Sequence, residues 1–189
     1  MRTERSLLDD VMPTWHWRTR RTHWVEAEPE AAFELARRVT VAEVPFTARL
    51  RAIGALPGRV AGFEPAAPRP VTLFDDLLEQ GFSVLELRPG RELVLGRVGQ
   101  FWRWGGTIRR EVIGRERFDA FGEPGFAKAA ISFRAEPADL GSLLAVETRV
   151  AATDRTTYRR FNRYWLIGAW ANRVTRAQLL RAVAQRARN

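Results

Sequence analysis

Between Phe82 and Ala152, several stretches of this 189-residue chain place apolar side chains at every second position. The stretches FSVLEL and RELVLGRV are joined by Arg88-Pro89-Gly90, a composition typical of a hairpin turn. The stretches AKAAISFRAE at 127–136 and SLLAVETRVAA at 142–152 alternate in the same way. A period of two is the pattern of strands with one face toward a core, so this region predicts an antiparallel sheet.

The residues before Phe82 follow a helical period instead. Pro29 begins EAAFELARRV, a short amphipathic helix, and Thr72 is positioned to cap a helix over 71–79. We also predict an N-terminal arm over 1–19, a first strand at 20–27, a helix at 42–54, a Pro- and Gly-rich loop at 54–70, and weaker strands at 105–113 and 115–120. The order of strand, helices, about six antiparallel strands and a final helix is an α+β layout, with 20–189 as one domain.

The C-terminal segment is predicted to be one long helix, capped by Thr153 or Asp154. Its first apolar stripe is Tyr158, Phe161 and Trp165, spaced i, i+3 and i+7. The stripe that follows Gly168 is rotated by about a quarter turn on a straight helix. We therefore expect a kink or break near Gly168, because glycine is a common place for one.

Charge is concentrated in the same segment. The chain has 31 basic and 22 acidic residues, and residues 155–189 contribute nine arginines and no acid. One interpretation is a basic helix that contacts an anionic membrane or another partner. The other is that the apolar stripe packs on the sheet while the arginines face water. Nucleic-acid binding is not predicted, because the basic residues are confined to one element.

Several classes of protein are excluded or disfavoured. The chain has no cysteine and only two histidines, so disulfide frameworks and thiolate or His-rich metal sites are not expected. No apolar run approaches the ~18 residues of a membrane span, and the N-terminus lacks the apolar core of a signal peptide. We expect a cytoplasmic protein without a metal or other cofactor.

Four stretches carry a resemblance to a known superfamily: VEAEPEAAFELA (25–36), RPGRELVLGRVGQFW (88–102), FGEPGFAKAAISF (121–133) and VETRVAATDRTTYRRFNRYW (146–165). Together they resemble an uncharacterised bacterial branch of the helix-grip (START-like, SRPBCC) superfamily. The resemblance implies a seven-stranded antiparallel sheet wrapped around the C-terminal helix, with a hydrophobic cavity between them. Such cavities bind lipids, sterols, plant hormones or polyketides, and a minority of members are cyclases, aromatases or hydrolases. The insertion at 54–70 departs from the minimal pattern.

The resemblance therefore implies binding of a small hydrophobic or amphipathic molecule. An enzyme of the cyclase/aromatase kind, using an interior carboxylate or Tyr164, is the alternative. An interaction protein working through the arginine-rich helix is the second alternative. Along the last strand, either Glu147 and Arg149 or Thr148 and Val150 face the helix, and the charged pair could instead form salt bridges on an outer face. The candidate cavity residues are Trp102, Trp104, Phe118, Phe133, Glu147, Arg149, Tyr164 and Trp165.

Overall fold

The computed structural model describes residues 5–44, 71–103 and 106–188, except for the side chains of 166–173. Within these residues the chain forms five α-helices, one 3-10 helix and five strands. In chain order they are α1 (Leu7–Val11), β1 (Trp17–Val25), α2 (Pro29–Arg37), the 3-10 helix Val41–Glu43, α3 (Leu73–Glu79), β2 (Ser83–Arg88), β3 (Glu92–Gly99), α4 (Gly114–Ala120), β4 (Ala127–Ala138), β5 (Gly141–Ala152) and α5 (Arg155–Arg186).

The strands form one antiparallel sheet in the order β1-β5-β4-β3-β2. The α+β class and the antiparallel pairing are confirmed. The expected seven strands are wrong for the described part of the chain, which has five. The strand expected at 115–120 is helix α4, because its single buried residue, Phe118, sets no alternation and Arg115 pairs with Asp119 one turn later. Of the strand expected at 105–113, the described part contributes only an isolated bridge between Ile108 and Gly99.

Most predicted helices are also present. Helix α2 begins at Pro29, and Thr72 caps α3 by accepting a hydrogen bond from the Asp75 amide. The helix expected at 42–54 is only a 3-10 turn over Val41–Glu43 in its described part, and the remainder lies outside the described residues. None of the described helices has the length and apolar character needed to cross a membrane.

Alternation along the strands gives the sheet two sides, and each is covered by helices. We call them the α5 side, which packs against α2, α3 and α5, and the α1 side, which packs against α1 and α4. Buried strand residues of the α5 side are Leu93, Leu95, Phe133, Leu144 and Val146. Those of the α1 side are Leu85, Val94, Val98 and Ala130.

Helix α5 runs for 32 residues, and its described backbone is continuous across Gly168, so the predicted break does not occur. The interpretation that its arginines face water holds for Arg159, Arg160 and Arg163, which are exposed. It fails for Arg176, which is 4% exposed, whereas Arg186 is half-buried in a pair with Glu43 at 2.7 Å.

Asp154 fixes the start of α5. Its carboxylate accepts hydrogen bonds from the amides of Thr156, Thr157 and Gly125 at 2.8, 2.9 and 2.6 Å. The Thr157 hydroxyl also donates to it, at 2.5 Å. These bonds, the Thr157 hydroxyl foremost, hold the pKa of Asp154 well below its usual range.

We expect Asp154→Ala to lower the free energy of unfolding by about 1–2 kcal/mol at pH 7, because it removes the cap of the longest helix. Asp154→Asn retains capping but not charge. A lowered folded-state pKa adds stability above the unfolded value of about 3.9 and loses it as pH falls below that value. Urea unfolding should therefore show a difference in the free energy of unfolding between wild type and Asp154→Asn at pH 7. This difference should shrink as the pH falls below about 4. A difference in the free energy of unfolding that does not change with pH would contradict this role for the Asp154 charge.

Candidate functional site

The α5 side of the sheet forms a floor of three cross-strand rows running from the edge strand β1 toward β3. The register aligns the residues of each row directly opposite one another. The first row is Trp17, Val150, Ala129 and Arg97; the second is Thr19, Thr148, Ile131 and Leu95; the third is Arg21, Val146, Phe133 and Leu93. The middle of the floor is apolar, whereas guanidinium groups and a threonine pair lie toward its ends.

Ile131 lies near the centre of this floor and is only partly buried. Its neighbours on the same side are more buried: Leu95 is 1% exposed, Phe133 3% and Thr148 5%. An interior strand residue beneath a helix is normally enclosed by neighbouring side chains. Ile131 is therefore the more accessible of the two apolar residues in the middle row.

Aromatic side chains close the first row. The Trp17 ring lies 4.6 Å from Phe161 and 6.3 Å from Trp165, measured between ring centroids. Trp102 meets Phe161 edge-on at 5.9 Å and is partly buried against the same cluster. Tyr164 lies 5.5 Å from Phe161 but is 38% exposed. Trp102 and Trp165 thus belong to the aromatic end of the floor, with Tyr164 at its rim.

Arg97 ends the first row on β3. Its guanidinium lies 4.6 Å from the Phe82 centroid and 4.5 Å from that of Phe101, and Nη1 donates to the Gln80 carbonyl at 3.1 Å. The Nε atom is buried and has no hydrogen-bond partner among the described residues. Burial lowers the pKa of Arg97 to about 10. Arg97 is therefore a cation held between two rings, with no carboxylate partner in the described part of the chain.

Arg176 lies over the opposite end of the floor. Its guanidinium donates to the hydroxyls of Thr19 and Thr148, and burial lowers its pKa to about 10. The neighbouring Arg21 lowers that pKa further, while Glu147 opposes the shift. Both threonines are neutral, so the positive charge of Arg176 is not neutralised by its hydrogen-bond partners.

The structure separates the predicted site residues into two groups. Phe133 faces α5, and Trp102 and Trp165 lie at the aromatic end described above. Phe118, Glu147 and Arg149 lie on the α1 side, so they do not line a space between the sheet and α5. The reason is that Thr148 and Val150 face α5. Because side chains alternate along a strand, Glu147 and Arg149 face α1. Trp104 lies outside the described residues.

On the α1 side, Glu147 and Arg149 form a buried ion pair that holds the N-terminal arm. Arg149 Nε donates to Glu147 Oε1 at 2.7 Å, and Arg18 Nε donates to the same oxygen at 2.8 Å. Burial raises the pKa of Glu147, but these hydrogen bonds and positive charges outweigh burial and keep the pKa below its usual range. The group has its charges satisfied within the protein, which is the arrangement of a structural ion pair.

The candidate cavity residues chosen from the sequence did not include Arg97, Arg176 or the threonines that bind Arg176. Alternation along β3 predicts that Glu92 and Arg97 point to opposite faces, so that at most one of them lies inside a cavity beneath the C-terminal helix. Glu92 is fully buried on the α1 side, and of the two only Arg97, which is partly buried, lies on the α5 side. For Arg176 a signal existed: it shares a helix face with Leu179, Leu180 and Val183 at i+3, i+4 and i+7.

Comparisons with known proteins do not assign a function to this site. No family model matches the chain, and no curated protein matches it significantly. Among solved structures, the crystal structure of protein CV1439 from Chromobacterium violaceum aligns with 94% of this chain and 99% of its own. The two are 12% identical and superpose with a TM-score of 0.38, a similarity too low to establish a shared fold.

Proposed function

We propose that the protein binds a small amphipathic molecule between the α5 side of the sheet and helix α5. The observation that carries the proposal is the partly accessible Ile131 in the middle of an otherwise buried floor. Binding pockets for small molecules combine apolar walls with a few placed polar groups. The rows around Ile131 have this composition, with Leu95 and Phe133 as apolar neighbours and two arginines toward the ends.

The proposal agrees with what the resemblance to the helix-grip superfamily implies, but it rests on different residues. The polar groups are Arg97 and Arg176 instead of Glu147 and Arg149. The enzyme alternative loses its support on the sheet, because no carboxylate of the described strands faces α5. The enzyme alternative called for an interior carboxylate or Tyr164, and Tyr164 is 38% exposed at the rim of the floor, so binding is the better-supported function.

Titration with N-phenyl-1-naphthylamine, an uncharged dye that fluoresces in apolar surroundings, tests the proposal. We expect saturable binding to the purified protein. Ile131→Phe should weaken it by about tenfold or more, because the larger ring occupies the space above the middle row, while the circular dichroism spectrum is unchanged. Ile113→Phe is the matched control, since Ile113 is 64% exposed just before helix α4, on the opposite side of the sheet, and should leave dye affinity unchanged.

Two results would overturn the proposal. One is the absence of saturable dye binding. The other is dye binding that Ile131→Phe leaves unaltered in a variant that retains its fold, since the dye would then occupy another part of the surface.

A further inference from the structure

A depression of about 510 Å³ lies along the edge strand β1, beside the end of the floor where Arg176 crosses it. All six lining residues are basic or hydroxyl-bearing: Arg18, Thr19, Arg20, Arg21, Thr22 and Arg176. No acidic side chain lines it. Its volume falls within the range of about 300–1,000 Å³ that is typical of small-molecule sites.

The four arginines divide into two pairs by the side of the sheet that they face. Arg18 and Arg20 point to the α1 side, where they approach Glu147 at 2.8 and 3.9 Å. Arg21 and Arg176 belong to the α5 side and have no carboxylate partner within the described residues. A buried arginine is normally paired with an acid, because an uncompensated charge is costly to bury. Arg176 is 4% exposed and departs from that rule.

The hydroxyls around Arg176 add to this excess of donors. Thr19 and Thr148 each use an oxygen lone pair to accept a hydrogen bond from Arg176. A hydroxyl that accepts still has its own proton to donate. Within the described residues, the hydroxyls of Thr19 and Thr148 make no hydrogen bond other than the two from Arg176, so neither hydroxyl proton has an acceptor. Two guanidiniums and two hydroxyl protons therefore share a small region in which the described residues supply no carboxylate.

The same region adjoins the apolar floor. Thr148 is directly opposite Ile131 across the β5–β4 pair, so the partly accessible isoleucine is its neighbour on the α5 side. A ligand that reached from Arg176 across Thr148 would lie with its next atoms on Ile131. Oxyanions with two or three oxygens match such convergent donors, and arginine binds carboxylates and phosphates through two parallel hydrogen bonds.

From this arrangement we infer that the ligand is an organic anion, whose carboxylate or phosphate is held by Arg176, Arg21 and the Thr19 and Thr148 hydroxyls while its apolar body lies over Ile131. This inference rests on the proposed function, since the apolar part uses the same floor. Arg97 is the weaker site for the anion, because its guanidinium is stacked between two rings and its Nη1 is already bound to the Gln80 carbonyl.

Displacement of the bound dye by three ten-carbon chains tests the inference: decanoate, decyl phosphate and decanol at constant ionic strength. We expect at least one anion to displace the dye at a concentration about tenfold or more below that of decanol, in keeping with charge-assisted hydrogen bonds. Arg176→Gln and Arg21→Gln should abolish that preference, so that the anions displace the dye no better than decanol does. The comparison between decanoate and decyl phosphate identifies the head group.

Arg181→Gln is the matched control, since Arg181 is an exposed arginine on the same helix and should retain the preference. If Arg176→Gln does not fold, the inference is tested with Arg21→Gln and Thr148→Val. Both variants should fold, because Arg21 is exposed and valine has nearly the shape of threonine. Equal displacement by the anions and decanol, or a preference that survives the folded variants, would overturn the inference while leaving the proposed function intact. Failure of the dye and of all three chains to bind would instead reject the proposed function.

Discussion

Replacing Arg149 by methionine is expected to lower the free energy of unfolding by about 3–5 kcal/mol, the cost of removing one partner from a buried ion pair. The Arg149 side chain is 4% exposed, and every nitrogen of its guanidinium has a partner. Nε binds Glu147, Nη1 binds the Leu8 and Met12 carbonyls at 3.2 and 2.9 Å, and Nη2 binds the Asp9 carboxylate.

The large effect follows from what methionine leaves behind. Glu147 would retain only its more exposed partners Arg18 and Arg20. The Met12 carbonyl would lose the Arg149 donor, and the Leu8 carbonyl would keep only the Met12 amide. The Trp15 ring, 4.1 Å from the guanidinium, would lose its cation. Because these contacts hold residues 8–15 against β5, we also expect the N-terminal arm to become the first site of proteolytic cleavage.

Urea unfolding and limited proteolysis measure both effects. Arg20→Met is the matched control, since Arg20 approaches the same carboxylate at 3.9 Å with its side chain 43% exposed, and an exposed pair contributes about 1 kcal/mol or less. Equal losses for the two variants would contradict the assignment of Arg149 as the anchor of the arm.

Phe118→Ala is expected to lower the free energy of unfolding by a similar amount, about 3–5 kcal/mol, through a cavity on the α1 side. The ring is fully buried in the cluster that joins α1, α4, β2 and β3, and Lys128 Nζ lies 4.8 Å from its centroid. Its Cε2 atom lies 3.0 Å from where a side chain on Gly96 would begin, so the two are closely packed. A well-packed site relaxes only partly around a deletion.

Dye binding distinguishes this structural role from the sequence-based expectation that Phe118 lines the cavity. The ring is on the opposite side of the sheet from the floor, so folded Phe118→Ala should bind N-phenyl-1-naphthylamine as wild type does. Phe118→Leu, which preserves most of the volume, should cost about 1.5 kcal/mol or less by calorimetry or urea unfolding. Reduced dye affinity in both variants would place Phe118 in the binding site instead.

The parts of the fold that sequence patterns predicted are those fixed by local chemistry. Pro29 and Thr72 begin helices because a fixed φ and a side-chain cap act within one turn. The turn at Pro89-Gly90 joins β2 and β3 for the same reason, with Gly90 at φ 67°. Asp154, one of two candidate caps, is the residue that caps α5.

The location of the site could not be predicted from the periodicity of apolar residues along the strands. Alternation states that Glu147 and Thr148 face opposite sides of β5, but which side meets α5 is decided by distant packing. Because helices cover both sides of the sheet, Glu92 is fully buried on the side away from α5, which no pattern within β3 indicates. Gly168 was expected to interrupt α5, yet a helix supported along its length by a sheet and by α2 can include a glycine at a cost of about 1 kcal/mol.

The sheet order has a consequence for how the chain can assemble during synthesis. Among the described strands, β1 pairs with β5 alone, and the arm that precedes it is held by Glu92 and Arg149. The Leu8 carbonyl and the Arg149 guanidinium that binds it are 141 residues apart in sequence. The arm and β1 therefore find their partners only after β5, the last of the described strands, has been synthesised, and until then Trp17–Val25 is an unpaired strand with three arginines. Those charges disfavour pairing with other chains during that interval.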